Sequence, residues 1–194
     1  MDIKLLFAIV GIVIGVGSFV PYLRDVFSFK TRPHIYSWLI WLITEGTATL
    51  GAWYGGGGYG AINLTVMCVF IFGVFVISLK YGTKNITTFD TIVLVMAMLA
   101  ILAWWGLHQP LLSIIMVSAI DVIGYVPSFR KSFQEPWSET VVAWVGFVVA
   151  NMFALLALSQ HNFLTMTYLI SISSANVVLI LVCLARRPFI KKPN

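Results

Sequence analysis

The sequence predicts an all-α membrane protein with seven transmembrane helices, and three observations lead to that fold class. Apolar residues make up 60% of the 194 residues and charged residues only 10%, whereas a soluble domain carries about 25% charged residues. The apolar residues fall into seven runs, each close to the ~20 residues that a helix needs to cross a bilayer. The lysines and arginines lie almost entirely in alternate loops, as expected for a chain with one cytoplasmic face.

The seven predicted spans fill nearly the whole chain, so we expect no separate soluble domain. In chain order they are Leu5–Phe27, His34–Tyr54, Tyr59–Leu79, Phe89–Leu107, Leu111–Phe129, Trp137–Leu158 and Phe163–Ala185. No basic region beyond Lys4 precedes the first run, and we expect that run to be retained as a helix rather than cleaved as a signal peptide.

The basic residues predict the orientation of the chain. Eleven of the twelve lysines and arginines belong to the first, third and fifth loops and the C-terminal tail, and only Lys4 lies at the other side. Because cytoplasmic loops are enriched in lysine and arginine, we expect the N-terminus outside and the C-terminus in the cytoplasm. Orientation also accounts for the net charge of +5, so we expect no nucleic-acid partner. The minimal loops favour a prokaryotic inner (plasma) membrane.

Two parts of the sequence repeat a pattern of prolines and aromatic residues. Each copy reads Val-Pro-x-x-Arg-x-x-Phe, then a loop, then Pro-x-x-x-(Ser or Thr)-x-x-x-Trp. The matched positions are Val20 with Val126, Pro21 with Pro127, Arg24 with Arg130, Phe27 with Phe133, Pro33 with Pro136, Ser37 with Thr140, and Trp41 with Trp144. The positions of these matches at corresponding helix ends indicate an internal repeat.

The repeat predicts how the seven helices are grouped. A three-helix unit crosses the membrane an odd number of times, so a second copy is parallel to the first only if one extra helix separates them. The fourth run, Phe89–Leu107, lacks the proline pattern and is the predicted linker. We therefore expect two parallel three-helix-bundle repeats, residues 1–86 and 109–194, joined by a linker helix in residues 87–108. The second repeat carries the basic cytoplasmic tail.

This 3+1+3 chain, with paired proline segments at the ends of its first and fifth helices, resembles the SWEET and PQ-loop transporter superfamily. The glutamine that follows proline in the PQ signature is Tyr22 in one copy and Ser128 in the other, so the chain resembles a divergent member. The resemblance implies a transporter or facilitator that moves a small polar solute by alternating access. Some relatives bind a ligand without passing it, so a membrane receptor is an alternative, and a scaffold is a third.

The repeated prolines are candidate hinges. The resemblance implies that Pro21, Pro33, Pro127 and Pro136 let the two bundles rock around a central site. The alternative for Pro33 and Pro136 is that they merely start helices, where proline is well tolerated.

Two carboxyl side chains, those of Glu45 and Asp121, are predicted near the middle of the bilayer. Each residue is central in its run, and no lysine or arginine lies mid-helix to pair with it. Because a charged group at this depth is costly, we expect each carboxyl to be protonated or solvated in a cavity. A carboxyl group that binds and releases a proton couples transport to the proton gradient, and the sequence leaves this mechanism open for both groups. The alternative is a protonated carboxyl that only hydrogen-bonds a neighbouring helix.

Helical spacing adds aromatic and amide side chains to this predicted site. Glu45 lies one turn after Trp41, and Asn151 lies two turns after Trp144, so each pair shares a helix face. Asn176 resembles a substrate-binding asparagine of the family by its position in the last helix. The predicted substrate-binding residues are Trp41, Glu45, Asp121, Trp144, Asn151 and Asn176. The alternative for the asparagines is a role in joining helices.

Other kinds of site find no support in the sequence. Cys68 and Cys183 lie inside apolar runs, and the three histidines lie at different helix ends without metal-ligand spacing. Without a catalytic or phosphate-binding motif, we expect no enzymatic activity, no metal and no cofactor. The expected partners are the lipid bilayer and a small polar solute, with protons and a second copy of the chain as open partners. Sugar, amino acid, vitamin and drug-like cation all remain open as the solute.

Overall fold

The computed structural model describes residues 2–83, 86–107 and 109–192. Within these ranges every regular element is helical, which confirms the prediction of an all-α protein. The α-helices are α1 (Ile3–Phe27), α2 (Ile35–Tyr54), α3 (Tyr59–Tyr81), α4 (Thr88–Leu107), α5 (Pro110–Gly124), α6 (Val126–Gln134), α7 (Val141–Ala157) and α8 (Phe163–Arg186), and α8 continues into a short 3-10 helix, Arg187–Phe189. Lys84 of the third basic loop and His108 lie outside the described ranges.

Several helices have the length and surface of membrane-spanning helices. Four stretches of the described chain are long and apolar enough to cross a membrane: Ile3–Phe27, Tyr59–Tyr81, Pro110–Gln134 and Phe163–Phe189. Helix α7 is apolar but shorter. Large apolar side chains project from the outside of the bundle, since Val13, Val69 and Val142 are 65%, 65% and 72% exposed. These features are consistent with an integral membrane protein.

The structure differs from the prediction in two spans. The predicted fifth span lies within Pro110–Gln134, which is long and apolar enough to cross a membrane, but it is interrupted, since α5 ends at Gly124 and α6 begins after one intervening residue, Tyr125. Pro127 lies in the first turn of α6 and has no N–H to donate to the carbonyl one turn earlier, which favours a break at this point. The predicted sixth span begins at Trp137, but α7 begins at Val141 after a series of turns.

The helices of the two predicted repeats pack against each other. Helix α1 lies against α7 and α3, α2 lies against α3 and α5, and α8 lies against α5 and α7. The predicted linker, α4, lies against α2 and α5. Asp90 near the start of α4 pairs with His34 just before α2, with 3.4 Å between Oδ2 and Nε2. Helices α1, α2, α7 and α8, which come from both predicted repeats, therefore face a common interior space.

The connections between helices gather at two ends of the bundle. We call one end the basic end; it contains residues 28–34, residues 135–140 and the segment after Arg186. We call the other the opposite end; it contains residues 55–58, residues 158–162 and the start of α1. A buried aromatic cluster occupies the half of the core nearer the basic end.

Candidate functional site

A cavity of ≈ 50 Å³ lies in the middle of the bundle, between the helices of the two predicted repeats. Five of the six predicted substrate-binding residues line it: Trp41, Glu45, Trp144, Asn151 and Asn176. Their side chains come from α2, α7 and α8. The helical spacing that placed Trp41 with Glu45, and Trp144 with Asn151, thus brings both pairs to one cavity.

Asp121, the sixth predicted residue, is buried behind the wall of this cavity. Its side chain is 0% exposed and does not line the cavity. The hydroxyl of Tyr168 donates to Asp121 Oδ1 at 3.0 Å, and the hydroxyl of Thr44 bonds the same oxygen. The second carboxyl oxygen, Oδ2, has no hydrogen-bond partner among the described residues. The Asp121 carboxyl group therefore bonds side chains of α2 and α8 and does not line the cavity.

Tyr168 connects this buried carboxyl group to the one in the cavity. Its hydroxyl lies beside the Glu45 carboxyl as well as bonding Asp121, and its side chain is only 1% exposed. Its single hydroxyl proton is donated to one carboxyl group at a time, so the two carboxyl groups share one donor. Sequence reasoning did not single out Tyr168, because its run also contains threonines, serines and an asparagine.

Three tryptophans near the cavity differ in how their N–H groups are satisfied. Trp144 Nε1 donates to Glu139 Oε2 at 3.0 Å, and Trp38 Nε1 donates to the hydroxyl of Tyr22 at 3.2 Å. Trp41 Nε1 has no partner among the described residues, although the side chain is only 4% exposed. A buried donor without a partner costs free energy, and such groups are concentrated at functional sites.

The break between α5 and α6 contributes to the cavity directly. Tyr125 lies at that break and lines the cavity, and its hydroxyl donates to Asn176 Oδ1 at 2.7 Å. This bond fixes the amide of Asn176 and ties the junction to α8. Sequence reasoning missed Tyr125 because it treated the fifth span as one uninterrupted helix.

Polar contacts close the basic end of the bundle. Thr140 Oγ1 donates to Asp25 Oδ2 at 2.8 Å and lies 2.9 Å from Thr31 Oγ1. Lys131 forms an ion pair with Glu139, which is 3% exposed. We call these five residues the basic-end network. Because Asp25 and Thr31 belong to residues 1–86 and the other three residues to residues 109–194, the network joins the two predicted repeats.

A smaller set of contacts closes the opposite end. The backbone N–H of Ser159 donates to the carbonyl of Gly57 at 3.0 Å, and Asn162 Nδ2 donates to the carbonyl of Gly55 at 2.9 Å. Lys4 Nζ donates to the carbonyl of Ser159 at 3.2 Å. These bonds also run between the two predicted repeats, so polar contacts join the repeats at both ends of the bundle.

The four candidate hinge prolines occupy two kinds of position. Pro21 lies inside α1 and Pro127 lies in the first turn of α6. Pro33 and Pro136 lie outside helices, ahead of α2 and α7 respectively. Neither Pro33 nor Pro136 starts a helix, which removes the alternative that they serve as first helical residues. The hinge role itself stays a prediction.

No protein-family model, curated protein or solved structure matches this chain.

We expect phenylalanine substitutions at Trp41 and Trp144 to have different effects on stability. Trp41→Phe removes a buried N–H that has no partner among the described residues, so the free energy of unfolding should stay within about 1 kcal/mol of wild type or rise. Trp144→Phe removes the donor to the Glu139 carboxylate and should lower the free energy of unfolding by about 2 kcal/mol. Thermal unfolding in detergent measures both changes. Equal losses in the two variants would contradict the assignment of their partners.

Proposed function

We propose that the protein is a transporter or facilitator of a small polar solute that works by alternating access across the membrane. Its seven membrane spans form two three-helix repeats and a linker, with the basic end in the cytoplasm. The observation that carries the proposal is the central cavity between the repeats, lined by Trp41, Glu45, Trp144, Asn151 and Asn176. A site of aromatic surfaces with a few convergent polar groups is typical of small-molecule recognition.

The contacts at the two ends support alternating access. Those at either end include hydrogen bonds between residues 1–86 and residues 109–194, mostly in or beside loops. A hydrogen bond that is exchanged for bonds to water contributes only about 1 kcal/mol net, so the opening of one end costs little for each bond lost. One end therefore opens while the other end stays tied, and the opening of each end exposes the same cavity.

The α5–α6 junction is a suitable place for the bending that this motion requires. The helix is already interrupted at Tyr125, and Pro127 forms no backbone hydrogen bond there. Pro21 removes the corresponding bond within α1. Movement about the junction shifts Tyr125, which bonds Asn176, so the hinge and the cavity are coupled. The resemblance to SWEET and PQ-loop transporters is a second, weaker support for this function.

Uptake into proteoliposomes tests the proposal. The probes are a radiolabelled hexose, a neutral amino acid, a cationic amino acid, thiamine and choline, each measured by counterflow into vesicles that contain the purified protein. We expect one of these probes to enter faster than into protein-free vesicles, and Asn151→Ala to reduce that rate at least about tenfold because it removes an amide from the cavity wall. Ser174→Ala is the matched control, since Ser174 is an exposed polar residue on α8.

Either of two results would contradict the proposal. If no probe enters above background, the receptor or scaffold alternative is favoured. If uptake occurs but is equal in the Asn151→Ala and Ser174→Ala variants, the solute does not use this cavity.

A further inference from the structure

The walls of the central cavity combine aromatic rings with a carboxyl group. Six aromatic rings surround it: those of Phe19, Trp38, Trp41, Tyr125, Trp144 and Phe147. The one carboxyl group on the wall is that of Glu45, and no lysine or arginine lines the cavity in the described part of the chain. Aromatic faces and a carboxylate are all electronegative, so the surroundings favour positive charge.

The rings stand at steep angles to one another. The ring centroids of Trp41 and Trp144 are 5.9 Å apart with an interplanar angle of 75°. Those of Trp41 and Tyr125 are 4.7 Å apart at 46°, and those of Trp144 and Phe147 are 5.7 Å apart at 78°. The rings therefore pack against one another without parallel stacking, and a cation in the cavity has several aromatic side chains around it.

We infer that the solute bound in this cavity is a small organic cation of the alkylammonium class, with its charge beside Glu45 and its alkyl groups against the rings. This inference rests on the proposed function and narrows its substrate class.

The size of the cavity and the polar groups on its wall also favour a small cation as the solute. Its volume of ≈ 50 Å³ holds on the order of four water-sized groups, which suits a compact cation. A sugar carries hydroxyl groups around its whole ring and needs a partner for each one that is buried. Tyr125 and Asn176 already bond each other, so few polar groups remain for a sugar. An anion would face the Glu45 carboxyl group without a compensating cation.

Protons compete with the cation for Glu45. The titratable groups that face Glu45 come from the helices packed around it, and they are Cys68 on α3, Asp121 on α5, Tyr125 at the α5–α6 break and Tyr168 on α8. The single titratable residue of α4, Asp90, pairs with His34. None of these groups is cationic at the depth of Glu45. The buried carboxyl is therefore neutralised either by its own proton or by the bound cation, and each excludes the other.

Binding of choline and of its uncharged isostere, in which carbon replaces the nitrogen, tests the inference. Isothermal titration calorimetry of the detergent-purified full chain measures both affinities. We expect choline to bind at least about tenfold more tightly than the isostere, because the two differ only in charge. We also expect choline to bind about tenfold more weakly near pH 5.5 than near pH 8, because the added proton occupies Glu45.

Variants assign the effect to one carboxyl group. Glu45→Gln is expected to remove the preference for choline over the isostere, whereas Glu135→Gln is the matched control because Glu135 is exposed at the basic end. Equal affinities for choline and the isostere in wild type would overturn the inference without any variant. A preference for choline that survives Glu45→Gln would overturn it as well.

Failure of the inference is distinguishable from failure of the proposed function. Uptake of a hexose or a neutral amino acid, with no binding of choline, overturns the cation class and leaves a transporter. Binding of choline that depends on Glu45, with no uptake of any probe, supports the cation site and overturns transport.

Discussion

Replacement of Lys131 by methionine is expected to lower the free energy of unfolding by about 3 kcal/mol, because it leaves the buried Glu139 carboxylate without its cation. Glu139 is 3% exposed and also accepts from Trp144 Nε1. A single indole N–H does not neutralise a full charge. Chemical unfolding in detergent micelles, followed by tryptophan fluorescence, measures the loss.

The double variant Lys131→Met/Glu139→Gln separates the ion pair from other effects. Once Glu139 is neutral, loss of the lysine leaves no buried charge, and we expect the double variant to recover at least half of the lost stability. Lys30→Met is the control for an exposed lysine at the same end and is expected to change stability by less than about 0.5 kcal/mol. A double variant that is less stable than Lys131→Met alone would contradict the role given to this pair.

Asp121→Leu is expected to lower the free energy of unfolding by a similar amount, about 3 kcal/mol, because it removes the acceptor that the buried hydroxyl of Tyr168 bonds and a partner of Thr44. Asp121→Asn keeps one oxygen that both hydroxyls bond, so we expect a smaller loss of about 1 kcal/mol. Thermal unfolding in detergent provides the comparison.

A double-mutant cycle tests whether the stability lost in Asp121→Leu comes from the hydrogen bond to Tyr168. Tyr168→Phe and Asp121→Leu each remove the same hydrogen bond, so the two losses of stability are expected to be less than additive. Losses that add fully would show that the bond between Tyr168 and Asp121 contributes little, and would contradict our account of how Asp121 is held.

Helical periodicity explains how much of the candidate site the sequence predicted. Trp41 and Glu45 are one turn apart on α2, and Trp144 and Asn151 are two turns apart on α7, so the spacing alone assigns each pair to one face. Asn176 was reached through the resemblance and also lines the cavity. These residues share a cavity because polar side chains within apolar helices tend to face the bundle interior.

The remaining parts of the site depend on contacts between helices, and helical periodicity does not determine those contacts. The sequence places Asp121 at the right depth, but the rotation of α5 against its neighbours decides whether its carboxyl group reaches the cavity or Tyr168. Tyr125 enters the cavity because the helix breaks before Pro127, and proline is also compatible with an unbroken helix, as Pro21 in α1 shows. A single proline therefore does not predict which of the two outcomes a chain adopts.

The sequence also did not predict the basic-end network. Lys131 was predicted to lie in the fifth loop, and Glu139 falls within the predicted sixth span, so nothing in the sequence indicated that they pair. The turns before α7 instead bury Glu139 against Trp144. Burial of this kind depends on how the chain between two helices folds back onto the bundle, and no periodic pattern encodes it.

Two-sided labelling of the cavity tests the central claim, that one cavity is reached alternately from both sides of the membrane. The reporter is Asn151→Cys in a Cys68→Ser/Cys183→Ser background, in proteoliposomes of defined orientation, with a membrane-impermeant maleimide added outside or enclosed inside. Gln160→Cys and Gln134→Cys are the controls, since they are exposed at the opposite end and the basic end respectively. We predict that each control is labelled from one side only and that Asn151→Cys is labelled from both sides. Labelling of Asn151→Cys from a single side, under every condition that labels both controls, would contradict alternating access.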